Sequence, residues 1–205
     1  MATFDERAKD WDTPERIARA AEVADAVRTA MPLAPTDRLV DVGAGTGLLG
    51  LALVDDVGEV VLLDPSAGMI EVATAKLANG ALPTVHAIRH DLLVDAAPAE
   101  RFDVAVSLLV LHHLADTTAA LGAIRELLVP GGRIALADLD TEDGTFHSED
   151  AEGIHHHGFD RAALEEVARE AGFADVATRT AMVIDEDADH FGGYPVFLLT
   201  GRRRD

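Results

Sequence analysis

The sequence has 205 residues, of which 37 are acidic and 17 are lysine or arginine, and a formal net charge of −20. This charge disfavours nucleic acid and anionic membrane surfaces as partners and suits a cationic small ligand. The absence of cysteine excludes disulfides, thiolate zinc sites and cysteine nucleophiles. Neither a signal peptide nor an apolar run long enough to span a bilayer is visible, so we expect a cytoplasmic protein.

Short apolar runs alternate with amphipathic stretches, a pattern typical of β-α units that form a parallel sheet. Helices are predicted over residues 13–31, 48–54, 66–80, 117–128 and 160–171. Strands are predicted over residues 38–42, 59–63, 84–90, 102–108, 133–139, 175–184 and 195–200. Because no clear helix separates the last two strands, we expect a hairpin that puts one antiparallel strand at the sheet edge.

A glycine-rich turn follows the first predicted strand. Gly43, Gly45 and Gly47 lie between that strand and a predicted helix, where glycine lets the backbone approach a ligand closely. A turn without a ligand is one alternative, and a nicotinamide dinucleotide site is another. The dinucleotide pattern fits poorly, because counting from Gly43 puts Leu48 at its third glycine position.

Acidic residues accompany three successive strands. Asp41 precedes the glycines, Asp64 follows the second strand and Asp91 follows the third. The carboxyl ends of parallel strands meet at the edge of the sheet where such folds bind ligands. In these positions Asp64 can take the hydroxyls of a ribose, Asp91 can accept from an adenine amino group, and Asp41 can hold the amino end of an amino-acid ligand.

With these motifs the chain resembles class I S-adenosylmethionine-dependent methyltransferases over nearly its whole length. The matching segments are residues 40–47, 63–70, 90–92, 102–107, 111–114 and 128–132. The resemblance implies an α/β fold, a Rossmann-like three-layer sandwich with a seven-stranded, mostly parallel sheet whose last strand is antiparallel. It implies S-adenosylmethionine as cofactor and S-adenosylhomocysteine as product. The cofactor-binding residues carried over are Asp41, Gly43, Ala44, Gly45, Gly47, Asp64, Pro65, Ser66, Met69, Asp91, Leu92, Ser107 and Leu108.

The resemblance also implies a single domain over residues 1–205. Its parts are an N-terminal lid and helix (1–31), a cofactor-binding core (32–140), a histidine-rich insert (141–158) and a C-terminal helix and hairpin (159–205). In similar proteins the N-terminal segment folds over the cofactor, which places Trp11 near the sulfonium or the adenosine. Packing of Trp11 on the core as a simple anchor is the alternative.

The insert resembles that of a subgroup of these methyltransferases, with a Phe-His pair followed by paired histidines before Gly-Phe-Asp. Three interpretations compete: a solvated loop, contact with substrate or general-base catalysis, and a metal site. The metal site would use His147, His155 or His157 with Asp138 or Asp140. Their spacing matches no standard metal motif, so a divalent metal stays an open alternative.

Methyl transfer requires mainly that the enzyme align the nucleophile and exclude water. A hydroxyl nucleophile would benefit from a base, and His113, His147 and His156 are the candidates. Of the adjacent pair His112 and His113, we assign His113 to the pocket and His112 to packing. We expect transfer to an oxygen, nitrogen, sulfur or carbon nucleophile of a small molecule, by a monomer or homodimer. The alternatives are a non-catalytic S-adenosylmethionine-binding sensor or partner subunit, and then a NAD-type oxidoreductase.

Overall fold

The protein folds around a seven-stranded sheet in the computed structural model, which describes residues 3–147, 153–184 and 193–205. The strands are β1 (Arg38–Val42), β2 (Glu59–Asp64), β3 (Val85–Arg89), β4 (Phe102–Leu108), β5 (Leu128–Leu139), β6 (Phe173–Ile184) and β7 (Tyr194–Arg203). Their order is β3-β2-β1-β4-β5-β7-β6. Neighbours from β3 to β5 are parallel, and β7 is antiparallel to β5 and to β6. The predicted fold class is therefore confirmed.

The position of the antiparallel strand differs from the prediction. We expected it at the sheet edge, but β7 lies between β5 and β6, with Leu199 opposite Leu136 on one side and Thr178 on the other. The reason lies in side-chain burial: Val196 to Leu199 are all fully buried, as in a strand covered on both faces, whereas β6 alternates between covered and exposed positions. The hairpin itself is as predicted, with β6 as the edge strand.

Six α-helices are present among the described residues. They are α1 (Phe4–Arg7), α2 (Pro14–Ala30), α3 (Leu48–Ala52), α4 (Ala67–Gly80), α5 (Thr117–Leu127) and α6 (Arg161–Glu170). The side chains of Thr13, Ser66, Asp116 and Asp160 each accept a backbone N–H in the first turn of a helix. α1 was not predicted, because it is a single turn, held by a capping box between Thr3 and Glu6, and is too short to show a periodic apolar pattern.

Successive residues of the central strands pack into opposite layers, because side chains alternate across a strand. Leu39 of β1 packs in one layer with Val23 of α2, and Val40 packs in the other with Leu121 of α5 and Leu164 of α6. The result is the predicted three-layer arrangement, with the carboxyl ends of the parallel strands along one edge. None of the helices that the structure describes combines the length and apolar character needed to cross a membrane.

Candidate active site

The glycine loop carries the chain from β1 to α3. Gly43, Gly45 and Gly47 have φ angles of 67°, 56° and 88°, which disfavour any residue with a side chain. A Cβ atom on Gly43 would lie 2.6 Å from Val110, so the loop after β4 closes against this turn. A Cβ atom on Gly45 would lie 3.5 Å from Nε1 of Trp11 and 3.9 Å from Sδ of Met69. The loop thus packs closely between two other segments of the site.

Asp64 joins the end of β2 to the glycine loop. Its Oδ2 accepts a hydrogen bond from the Gly45 N–H at 2.8 Å, and its Oδ1 accepts one from the Ser66 N–H at 2.9 Å. The side chain is nearly buried, and this burial raises its pKa despite the two N–H donors, which lower it. A buried carboxylate is therefore held in a fixed orientation beside the loop.

Asp41 and Ser107 are buried polar side chains of neighbouring strands. Asp41 is 1% exposed, and its Oδ2 accepts the Gly50 N–H at 2.8 Å. Burial raises the pKa of Asp41 to about 7, although the Gly50 bond lowers it. Among the described residues, no hydrogen-bond partner reaches the buried Oγ of Ser107, near the end of β4. Such groups are costly in an apolar interior, so a polar ligand beside them would be well matched.

The remaining residues carried over by the resemblance lie around this centre. The Ala44 N–H donates to the Leu63 carbonyl at 2.9 Å, Pro65 is exposed, and Met69 is buried in the first turn of α4. Asp91 is half-buried, and its Oδ1 accepts the Leu93 N–H at 3.0 Å. Leu92 and Leu108 are partly buried and pack on opposite layers of the core.

The N-terminal segment is fastened over the glycine loop by two aspartates that the sequence analysis did not single out. Oδ1 of Asp5 accepts from Ser66 Oγ at 2.6 Å and from the Gly68 N–H at 2.8 Å, and these bonds lower the pKa of Asp5. Asp12 accepts from Thr46 Oγ1 at 2.5 Å and pairs with Lys76 at 2.5 Å. Thr46 in the glycine loop and Lys76 on α4 were the features of the sequence that could have indicated the contacts of Asp12.

Trp11 lies half-buried beside the glycine loop, with its indole nitrogen toward Gly45. The guanidinium groups of Arg16 and Arg7 lie over its ring, 4.2 Å and 5.1 Å from the centroid. The ring is therefore both an anchor for the N-terminal segment and part of a cover over the loop. Its cation contacts in this structure are with the chain's own arginines.

We expect Gly68→Ala to release the N-terminal segment. An added Cβ would lie 2.7 Å from the carbonyl oxygen and 2.9 Å from the Cα of Asp5, which is backbone that cannot easily move aside. Alanine otherwise favours a helix over glycine by about 1 kcal/mol, so α4 itself should not suffer. The emission of Trp11, the only tryptophan, should shift toward that of an exposed indole, and proteolysis before α2 should accelerate on the order of tenfold.

Gly122→Ala in α5 is the matched control, because an added Cβ there meets nothing within 4 Å. It should leave both the emission and the cleavage rate unchanged. Unchanged Trp11 emission in Gly68→Ala would show that the segment does not depend on this contact.

A buried aspartate–histidine pair lies at the ends of β4 and β5. Asp138 and His112 are 0% and 1% exposed, and His112 Nδ1 donates to Asp138 Oδ1 over 2.7 Å. Asp138 also accepts the backbone N–H of Leu139 at 2.8 Å. Because the carboxylate accepts a hydrogen bond from Nδ1–H, His112 presents Nε2 as an acceptor, 3.1 Å from Nε2 of His147. His112 therefore belongs to the polar cluster and does not serve packing alone, as was predicted.

His113 and His147 complete this histidine cluster. His113 Nδ1 donates to the Gly153 carbonyl over 2.9 Å, and one ring nitrogen from each of His112, His113 and His147 lies within 4.8 Å of the others. Burial, together with His112, lowers the pKa of His113 and of His147 to about 4, so both imidazoles are neutral at pH 7. The Phe4 ring contacts His113 at 5.4 Å and Trp11 at 5.8 Å between centroids, which links the cluster to the cover of the glycine loop.

The side chains of the other predicted histidines and acids have different partners, although the backbone N–H groups of His155 and His156 donate to the His112 carbonyl at 2.9 Å and 3.2 Å. His156 Nε2 lies 3.0 Å from the Leu114 carbonyl, apart from His113 and His147. His157 lies 3.2 Å from Glu142, and Asp140 forms two 2.6 Å bonds with Arg161. Of the metal ligands considered from the sequence, His147 lies in the cluster and Asp138 bonds to His112 within it, whereas the described side chains of His155, His157 and Asp140 are not part of it. Residues 148–152 of the predicted insert lie outside the described residues.

The known proteins that this chain resembles in sequence are methyltransferases. A family model described as a methyltransferase domain matches residues 15–178. An uncharacterized methyltransferase of Mycobacterium tuberculosis is 33% identical over 126 residues, which cover 60% of this chain and 62% of the relative. A ubiquinone biosynthesis O-methyltransferase of Cereibacter sphaeroides is 35% identical over 118 residues, covering 53% and 44%. The matches thus span less than two thirds of these relatives' lengths.

Solved structures share the fold. A chain of the complex between the Haloferax volcanii Trm112 methyltransferase activator and a methyltransferase has a TM-score of 0.79 at 22% identity, covering 100% of this chain and 99% of that one. Phosphoethanolamine N-methyltransferase 2 of Haemonchus contortus, in complex with S-adenosyl-L-methionine, has a TM-score of 0.74 at 16% identity, covering 100% and 61%. At these identities the likeness establishes the fold.

Proposed function

Because the chain belongs to the methyltransferase domain family, we propose that it transfers a methyl group from S-adenosylmethionine to an oxygen, nitrogen, sulfur or carbon nucleophile of a small molecule. The observation that carries the proposal is the burial of Asp41, Asp64 and Ser107 beside the glycine loop, toward the carboxyl ends of β1, β2 and β4. Polar groups buried in this way are costly without polar partners, and a nucleoside-amino acid ligand offers them.

Different residues of the chain would bind different parts of the cofactor. Asp64 would hold the ribose hydroxyls, and Asp41 and Ser107 the amino acid end. The loop residues Gly43, Ala44, Gly45 and Gly47 would also hold the methionine part, which Leu108 would face. Asp91 and Leu92 would hold the adenine, Pro65, Ser66 and Met69 would lie beside it, and Trp11 would lie near the sulfonium or the adenosine. The cofactor supplies a methyl group on a sulfonium, which is already activated for displacement. The residues therefore bind, orient and exclude water, and the N-terminal segment over the loop serves the last of these roles.

An alcohol or phenol acceptor must also lose a proton. His113 and His147 are neutral near pH 7 and lie beside the Phe4–Trp11 cover, so we propose them as the groups that take this proton. Nε2 of His156, the third candidate, is directed to the Leu114 carbonyl and is a weaker choice. The name of the Cereibacter sphaeroides relative, an O-methyltransferase, supports an oxygen nucleophile.

A small molecule suits the electrostatics of this chain better than a polymer. With 37 acidic and 17 lysine or arginine side chains, the protein repels phosphate backbones at long range. The cover formed by Phe4, Trp11 and their neighbours also restricts access to the glycine loop. An acceptor with an extended polymer backbone would have to displace it.

The test is methyl transfer from labelled S-adenosylmethionine to the separated low- and high-molecular-mass fractions of a cell extract, with S-adenosylhomocysteine as the measured product. We expect label in the low-mass fraction and none with Asp64→Ala. Label in protein or RNA alone would overturn the small-molecule assignment. Cofactor binding without turnover on either fraction would favour the sensor or partner-subunit alternative, and preferred binding of NAD would favour an oxidoreductase.

A further inference from the structure

We propose that His112, His113 and His147 form a binding site for a divalent transition metal ion of the zinc type. One ring nitrogen of each residue lies within 4.8 Å of the other two, and the three side chains come from two separate segments of the chain. Three imidazole ligands with one open position are a common donor set of catalytic zinc sites. The absence of cysteine from the chain leaves nitrogen and oxygen as the ligands for such an ion.

The spacing of the imidazoles suits a tetrahedral ion. Zinc–nitrogen bonds of about 2.0–2.1 Å place two ligand atoms roughly 3.4 Å apart. The Nε2 atoms of His112 and His147 are 3.1 Å apart, close to this separation. The ring of His113 lies with its centroid 4.1 Å from that of His112 and 5.8 Å from that of His147. Because the three nitrogens lie within 4.8 Å of one another, the half-buried side chains of His113 and His147 would have to move closer when an ion binds.

The hydrogen bonds around the cluster are those that metal-binding histidines make. A ligating imidazole usually donates its second ring N–H to a carboxylate or a backbone carbonyl, which fixes the ring and leaves the other nitrogen for the metal. His112 donates Nδ1–H to the fully buried Asp138, and His113 donates Nδ1–H to the Gly153 carbonyl. In both residues Nε2 is therefore the nitrogen that carries the lone pair. In two of the three proposed ligands, the nitrogen available for coordination is thus defined by the hydrogen bond of the other one.

The location of the cluster suggests what the ion would do, and this part rests on the proposed function. His112 and His113 follow β4, and Phe4 connects His113 to the cover of the glycine loop. A metal with three protein ligands keeps a position open for water or for an oxygen of the acceptor. Coordination lowers the pKa of such an oxygen and so favours its ionised form. In the metal-bound protein, His113 and His147 would serve as ligands and not as bases, and the acceptor would release its proton to water.

The experiment is direct metal binding by the full chain, purified without a histidine tag and stripped with a chelator. We expect calorimetry to show about one zinc ion bound per chain with sub-micromolar affinity, and cobalt(II) to give the intense visible bands of a tetrahedral site. His147→Ala and His113→Ala should each weaken zinc binding at least tenfold and remove the tetrahedral bands. The exposed His86 on β3 provides the matched control, His86→Ala, which should bind zinc as the unchanged protein does.

Asp138→Asn tests the supporting hydrogen bond. Loss of such a partner weakens metal binding by roughly 10–100-fold, whereas a purely structural aspartate would leave the cobalt spectrum intact. Because Asp138 is fully buried, circular dichroism must first show that the Asp138→Asn variant folds. Zinc binding by His147→Ala, at a half-buried position, tests the site independently of that variant. Zinc binding that is substoichiometric, or equally strong in His113→Ala and His147→Ala, would overturn the site.

Binding of S-adenosylmethionine, measured on the same preparations, separates the two proposals. Metal bound at the cluster without any cofactor binding would overturn the proposed methyl transfer and leave the metal site standing. Cofactor binding and turnover by a protein that takes up no zinc, cobalt or manganese would overturn the metal site alone.

Discussion

Asp64→Ala should weaken the binding of S-adenosylmethionine by about 100-fold or more. Two hydrogen bonds between ribose hydroxyls and a carboxylate contribute about 1.5–3 kcal/mol each, and both are lost together. The carboxylate is fixed before the ligand arrives, because the Gly45 and Ser66 N–H groups orient its two oxygens. Little of the binding free energy is then spent on ordering this side chain, which makes its removal costly. Isothermal titration calorimetry with S-adenosylmethionine and S-adenosylhomocysteine provides the measurement.

The control is Glu71→Ala, which removes one negative charge from an exposed position on α4. The affinity of this variant for S-adenosylmethionine should equal that of the unchanged protein. Thermal unfolding must accompany the titration, because Asp64 also joins two loops and its loss lowers stability. An Asp64→Ala protein that folds and still binds S-adenosylmethionine with the original affinity would refute the assignment of this residue to the ribose.

Asp41→Asn should stabilise the cofactor-free protein at alkaline pH while it weakens cofactor binding. The rise in the pKa of Asp41 from its ordinary 3.8 to about 7 is caused by burial. It corresponds to a cost of roughly 4 kcal/mol for the ionised form. Since the folded state binds this proton more tightly than the unfolded state, the contribution of Asp41 to stability is full below pH 4 and is lost as the pH rises toward 7. Asparagine keeps an acceptor for the Gly50 N–H without the charge.

We therefore expect the difference in unfolding free energy between Asp41→Asn and the unchanged protein to grow from pH 4 to pH 8, reaching roughly 2–4 kcal/mol in favour of the variant. Cofactor affinity should fall about tenfold or more at pH 8, because a buried charge that pairs with the cofactor ammonium is lost. Chemical denaturation across this pH range and calorimetry at pH 8 measure the two effects. A difference in stability that stays constant with pH would mean that Asp41 titrates normally.

The fold was largely predictable from the sequence because its signals are local. The runs that became β1, β2 and β4 are short, apolar and bounded by turns, and their limits match the predictions within a residue. The placement of Asp64 beside the glycine loop follows from the same logic, since parallel strands bring their carboxyl ends to one edge. Side chains at the carboxyl ends of the parallel strands could therefore be assigned to the candidate site from the sequence, before any of their contacts was known.

What the sequence could not provide are pairings between side chains from distant segments. The bond between His112 and Asp138 depends on the directions in which two neighbouring strand ends point their side chains, and Asp12 reaches Thr46 and Lys76 only after the N-terminal segment has folded back. The interior position of β7 also depends on contacts between segments that are distant in the sequence. The apolar run over residues 196–199 was a signal for a strand covered on both faces, but which strands flank β7 depends on how the hairpin docks on β5.

The order of the last strands has a consequence for how the protein folds. β6 precedes β7 in the chain but reaches the rest of the sheet through it, so the ladder cannot be assembled in the order of synthesis. If the parallel strands β1 to β5 form first, the edge of β5 stays open until β7 docks there, alone or already paired with β6. Docking that joins residues far apart in sequence is slow, and an open apolar edge favours aggregation during the delay. We therefore expect the yield of refolded protein to depend on how fast the hairpin docks on β5.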